Sequence, residues 1–79
     1  MQHLTTAEAA ELATRWRRTV SAGAAAVTPT TVRSWANRGH LQPAGLDDRG
    51  HPLYHPTDLA RAEKATRARA LRLVGIGTP

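Results

Sequence analysis

Cysteine is absent from the chain, which rules out disulfides and thiolate metal sites and leaves the redox compartment open. Phenylalanine is absent too, and Trp16, Trp35 and Tyr54 are the only aromatic residues. Each of the three is therefore expected to anchor a separate part of a small core. No apolar run reaches the roughly 20 residues of a membrane-spanning helix, and the N-terminus has no signal-peptide pattern. The expectation is a cytoplasmic protein with no membrane partner. Acidic residues are scarce, six Asp and Glu against eleven Lys and Arg, for a formal net charge of +5. Nearly all of the positive charge is arginine, which favours a polyanionic partner. At 79 residues the chain is read as one domain, 1–79, able to bury roughly 60% of its unfolded surface.

The best-marked stretch is Val27-Thr28-Pro29-Thr30-Thr31-Val32-Arg33-Ser34-Trp35-Ala36-Asn37-Arg38-Gly39. Thr28 suits an N-cap, Pro29 has the preset φ of a first helical position, and Gly39 offers a left-handed stop. The spacing predicts a helix over 29–38. Val27, Val32, Trp35 and Ala36 fall on one side of it; Thr30, Thr31, Arg33, Ser34, Asn37 and Arg38 cover the rest. Small hydroxyls, an amide and two guanidiniums are side chains that meet base edges and phosphates without blocking entry to a major groove. The competing reading is a solvated polar face.

Before this stretch, Leu4-Thr5-Thr6-Ala7-Glu8 reads as a capping box, with Thr5 as N-cap, Glu8 as its partner and Leu4 as the apolar staple. A helix is expected from about Thr6 to Thr19, burying Ala9, Leu12, Ala13, Trp16 and Val20. Arg15, Arg17 and Arg18 flank Trp16. They are read either as cations snorkelling off the edges of a core residue or as a clamp on nucleic acid. Gly23 breaks the helix, and Ala24-Ala25-Ala26 leave a short extra helical turn open.

After Gly39, extended pieces at 41–44 and 51–54 bracket a turn-rich 45–50, which predicts a two-stranded hairpin. Pro43 and Pro52 limit its strands to edge positions, and Arg49 and His51 would stand near its tip, where they can meet a phosphate or enter a minor groove. A last helix is expected from Pro56 or Thr57 to about Leu73, with Asp58 in its first turn and Gly75 and Gly77 ending it. Its buried stripe would be Leu59, Ala62, Thr66, Ala70 and Leu73. Arg61, Lys64, Arg67, Arg69 and Arg72 would form a basic outer face acting by long-range attraction.

This order of elements resembles the MerR-like and excisionase-like DNA-binding domains. The resemblance runs over 4–63 and rests on Leu4-Thr5-Thr6-Ala7-Glu8-Ala9-Ala10-Glu11-Leu12, on Val27 to Trp35, on Gly39-His40-Leu41, and on Gly50-His51 with Tyr54. It implies a mainly α fold with a small β-hairpin, a winged helix-turn-helix of three or four helices plus wing. The divisions are a helix-turn-helix with an extended first helix over 4–39, a wing over 40–55 and a C-terminal helix over 56–74. It also implies a sequence-specific double-stranded DNA-binding protein of prokaryotic or phage type, a small transcriptional regulator or an excisionase-like architectural factor. On that reading helix 29–38 enters the major groove, and the wing, 45–54, lies on the backbone or minor groove. Thr30, Thr31, Arg33 and Ser34 would lie against the major groove, and Tyr54 would bond a phosphate from the wing base. The expected contact set is Thr28, Thr30, Thr31, Arg33, Ser34, Asn37, Arg38, Arg49, His51 and Tyr54. The chain departs from the family pattern in three places. Leu12 and Val27 are separated by more than a tight turn, and Pro52 and Leu53 stand where relatives often carry arginines. The third departure is that no effector-binding region or long coiled coil follows, so no small-molecule effector is expected. Self-association on DNA, or contact with another DNA-bound protein, is the secondary partner expectation.

Other classes compare as follows. His3, His40, His51 and His55 are the only groups suited to catalysis or metal binding. His51 and His55 lie four apart across a strand end, where helical ligand geometry does not apply. No enzyme activity, cofactor or metal is expected. The alternative is a winged-helix protein-interaction module without intrinsic DNA specificity, which the salt dependence of duplex binding separates from a DNA reader.

Overall fold

The computed structural model describes residues 3–76, with side chains as far as Arg67. Three helices and one hairpin follow in the order α1 (Thr6–Val20), α2 (Pro29–Asn37), β1 (Pro43–Leu46), β2 (Pro52–Tyr54) and α3 (Pro56–Ile76). This is a mainly helical winged helix-turn-helix.

α1 begins where the local chemistry directs it. The Thr5 hydroxyl accepts the Glu8 amide at 3.1 Å, and the Glu8 carboxylate accepts the Thr5 amide at 2.9 Å, closing the capping box. Its buried face is not the expected one. Ala9, Ala10, Ala13 and Arg17 are buried, Leu12 and Trp16 pack at the edge of the core, and Val20 is 52% exposed. The buried arc is thus rotated by about 75° from the one that the largest apolar residues define. The alanines form a smooth surface on which the other helices sit closely, and the last turn of α1, from Arg18 to Val20, is exposed. Residues 21–28 cross to α2 without a further helix, burying Ala24 and Val27 on the way.

The hairpin is antiparallel, pairing Pro43 with Tyr54, Gly45 with Leu53 and Leu46 with Pro52, with a bulge between Pro43 and Gly45. Gly45 and Leu46 are therefore strand residues and not part of the turn, which is shortened to the segment from Asp47 to Gly50. Nor is β2 an edge strand along its whole length. Leu4 bridges Tyr54 through two backbone hydrogen bonds of 2.7 and 2.8 Å, so the start of the chain covers β2 at that point.

α3 starts at Pro56, its amide-free N1 residue, with the His55 carbonyl accepting from Leu59 at 3.0 Å and His55 Nδ1 accepting from the Thr57 amide at 3.1 Å. It runs through Gly75 instead of stopping at Leu73. A helical glycine costs only about 1 kcal/mol and does not by itself end a helix. Leu59 and Ala62 are buried as expected; the side chains of Ala70, Leu73, Arg69 and Arg72 lie outside the described residues. Val32, Trp35, Leu41, Tyr54 and Leu59 complete the core with the α1 alanines. No described helix is long and apolar enough to cross a membrane.

Candidate nucleic-acid interface

α2 is held at both ends. At its N-terminus the Thr28 hydroxyl accepts the Thr31 amide at 3.2 Å and lies 3.0 Å from the Thr31 hydroxyl. At its C-terminus Gly39 takes φ +81°, and the amides of Gly39 and His40 donate to the carbonyls of Ala36 and Trp35 at 3.2 and 2.9 Å. This is the double closure that a left-handed glycine after a helix allows. A third restraint comes from α1. The Thr14 hydroxyl oxygen accepts the Val27 amide at 2.8 Å, so the residue before the cap of α2 is fastened to α1 by a partner 13 positions away.

With Val32 and Trp35 buried and Ala36 half-buried, the outward surface of α2 divides in two. Thr30, Arg33 and Asn37 are exposed and, at spacings of three and four, form one stripe with half-buried Ser34 on its flank. Thr31 lies around the helix from this stripe, its amide and hydroxyl both engaged with Thr28. Arg38, the C-cap residue, is exposed.

The wing turn is organised by Asp47. Its Oδ1 accepts the amides of Arg49 at 2.9 Å and His51 at 2.8 Å, its Oδ2 lies 3.5 Å from His51 Nδ1, and Gly50 closes the turn at φ +80°. The His51 amide, with that of Arg49 and the nearby imidazole, holds the Asp47 carboxyl below the usual carboxylate range. Arg49 and His51 are exposed on this turn, beside Leu46 at 67% exposure. Tyr54 is different. Only 1% of it is exposed and it packs in the core, so its place in the expected contact set is corrected. An aromatic ring enclosed by α1, α2 and α3 residues is a packing element, with almost no surface to offer a phosphate.

Arg33 from α2 and His51 from the wing line one cleft of about 280 Å³, together with Asp47 and with Thr5 and Thr6 at the start of α1. Hydroxyls, a guanidinium and an imidazole from three elements thus converge, with one carboxylate already committed to wing amides. Exposed Arg15, Arg18, Arg33, Arg38 and Arg49 have no carboxylate partner among the described residues.

Arg67 does have one, which corrects its expected position on a free outer face. Glu63 is 0% exposed, and its carboxylate accepts from Arg17 Nε at 3.2 Å and from Arg67 Nε at 2.9 Å, with a further contact to Arg67 Nη2. Arg17 also donates to the Thr66 hydroxyl at 2.7 Å, and its guanidinium carbon lies 5.3 Å from the centre of the Trp35 ring. Burial pushes the Glu63 carboxyl up, but the hydrogen bonds and charges of Arg67 and Arg17 outweigh it and hold the group below the usual carboxylate range. Glu63 in turn raises Arg67 through its hydrogen bond. This network fixes the back of α2 through Trp35 and ties α1 to α3. Sequence reading missed Glu63, and the only local hint was the four-residue step from Glu63 to Arg67. Thr14 was missed as well, and its neighbours in sequence give no signal of its role. Among the described residues no group of three or more His, Asp or Glu side chains is placed to hold a metal ion.

The arrangement is one of donors positioned on the exposed face of α2 and on the wing turn, suited to binding a polyanion. No curated protein and no solved structure matches the chain. The family described as MerR HTH family regulatory protein matches residues 21–73, more than half of the chain. The matched span takes in the linker, α2, the wing and most of α3; it extends beyond the 4–63 expected at its C-terminal side and leaves α1 outside. The family is one of DNA-binding regulators, and DNA is the partner that it implies. With its capped second helix, hairpin wing and matched span, the chain belongs to the MerR helix-turn-helix family.

Proposed function

We propose that the protein binds double-stranded DNA sequence-specifically in the cytoplasm, as a small transcriptional regulator or an excisionase-like architectural factor. α2 enters the major groove and the wing lies on the backbone or minor groove. The observation that carries this reading is the exposed stripe of Thr30, Arg33 and Asn37, opposite the buried Val32 and Trp35, on a helix restrained at both ends. Arg33 carries the paired donors that address the two acceptors of a guanine edge, and Asn37 the donor and acceptor that match the N7 acceptor and N6 donor of adenine. Arg38 at the end of α2 and Arg49 on the wing turn, both exposed, serve as phosphate partners, and the +5 net charge steers the encounter.

Selection of bound duplexes from a random pool, followed by titration of the selected site over a range of salt, tests the reading. A recurring sequence should emerge, and log affinity should fall linearly with log salt. A pool that stays random, with binding indifferent to salt, would instead favour a protein-interaction module.

A further inference from the structure

The three arginines around Trp16 are sent in opposite directions by the fold. Arg17 turns inward to Glu63, Thr66 and the Trp35 ring. Arg15 and Arg18, three apart on α1, remain exposed without a carboxylate partner among the described residues. Both line a shallow groove of about 580 Å³ between α1 and the chain entering α2, where Ala26, Val27 and Pro29 form the far wall. Pro29 is the first residue of α2, so the groove continues into the end of the stripe that begins at Thr30. Glu11 is its one carboxylate, set against two guanidiniums.

We propose that this groove is a second contact for the duplex, taking the sugar-phosphate backbone beside the bases that α2 reads, with Arg15 and Arg18 each meeting a phosphate. The inference rests on the DNA-binding reading above and extends it to α1, the element that the family match leaves out. Guanidiniums suit the role because their planar forks pair with phosphate oxygens, and side chains three apart on a helix stand side by side. The apolar wall accepts the carbon face of a sugar without leaving a polar group unpaired. An acidic peptide would meet the same cations, but continuity of the groove with Pro29 and Thr30 favours the duplex.

The test compares Arg15→Ala/Arg18→Ala with Arg61→Ala/Lys64→Ala, which removes the same charge from exposed positions on α3, and with Arg15→Lys/Arg18→Lys. Each is titrated against the selected duplex over a salt series, with folding verified by circular dichroism. Loss of two phosphate contacts lowers the slope of log affinity against log salt by roughly 1.8. The α3 pair should change it by much less, and the lysine pair should restore most of it. Phosphate-ethylation interference should lose positions at one end of the site only in the groove variant. Equal slopes for the groove and α3 pairs, or a groove variant that binds like the wild type, overturn the proposal while leaving the DNA reading intact. Absence of salt-dependent binding by the wild-type protein overturns the DNA reading, and this inference with it.

Discussion

Arg17 Nε lies 3.2 Å from Glu63 Oε2, joining residues 46 positions apart in a contact that is almost wholly enclosed. The pair determines how α1 and α3 meet, and Trp35 beneath the guanidinium transmits that geometry to α2. Removing one member of a buried pair leaves the other charge without compensation, at a cost of about 3 to 5 kcal/mol. Glu63→Ala should therefore come close to unfolding the domain, since small domains have total stabilities on the order of 5 kcal/mol. Arg67→Ala, which leaves Glu63 with Arg17, should cost about 1.5 kcal/mol. Urea denaturation followed by tryptophan fluorescence measures both; equal losses would mean that the Arg17 contact adds nothing.

Acid should destabilise the fold through the same carboxylate. Burial alone would raise the Glu63 carboxyl, but Arg67 and Arg17 hold it below its ordinary value of 4.5. A carboxyl depressed in the folded state contributes stability that is fully present above its unfolded value and is lost as pH falls through the folded one. Melting temperature should thus decline as pH drops below 4.5. Glu63→Gln should be less stable at neutral pH and show a shallower decline, with a remainder from Asp47, which is also held down. An acid decline as steep in Glu63→Gln as in the wild type would locate the effect elsewhere.

Thr14→Val removes a hydroxyl and keeps the volume, so it isolates the latch on Val27. The Val27 amide would lose its acceptor in a buried residue, a loss of about 1 to 3 kcal/mol. Because the latch sits one residue before the N-cap of α2, duplex affinity should fall beyond what the unfolded fraction accounts for. Full affinity in the folded fraction would show that the cap alone positions α2.

Arg33→Ala should cost about 1 to 3 kcal/mol of binding to the selected site, with relaxed preference at one base if its partner is a guanine. Arg61→Ala, on exposed α3 surface, should lower affinity slightly and equally for all sequences. Equal losses from the two, measured on selected and scrambled duplexes, would take the reading role away from α2.

The amino-acid sequence by itself determined where α1 starts and where α2 starts and stops. Thr5 with Glu8, Thr28 with Pro29, and Gly39 are signals that span four residues or fewer and act through backbone stereochemistry, so they hold whatever packs around them. It also determined the two faces of α2, because Val32 and Trp35 are too large and apolar to lie on the side of Arg33 and Asn37. Only the tertiary structure decided the rest. The rotation of α1 follows from its alanines and from a carboxylate on α3, and a 3.6-residue period places a buried arc only coarsely when its largest residues lie at the edge. Of the two places the sequence allowed Tyr54, core anchor and phosphate contact, the packing of the helices around its ring selected the first. Arg15 and Arg18 parted from Arg17 for the same kind of reason: three neighbouring cations are equivalent in sequence until a distant carboxylate selects one of them.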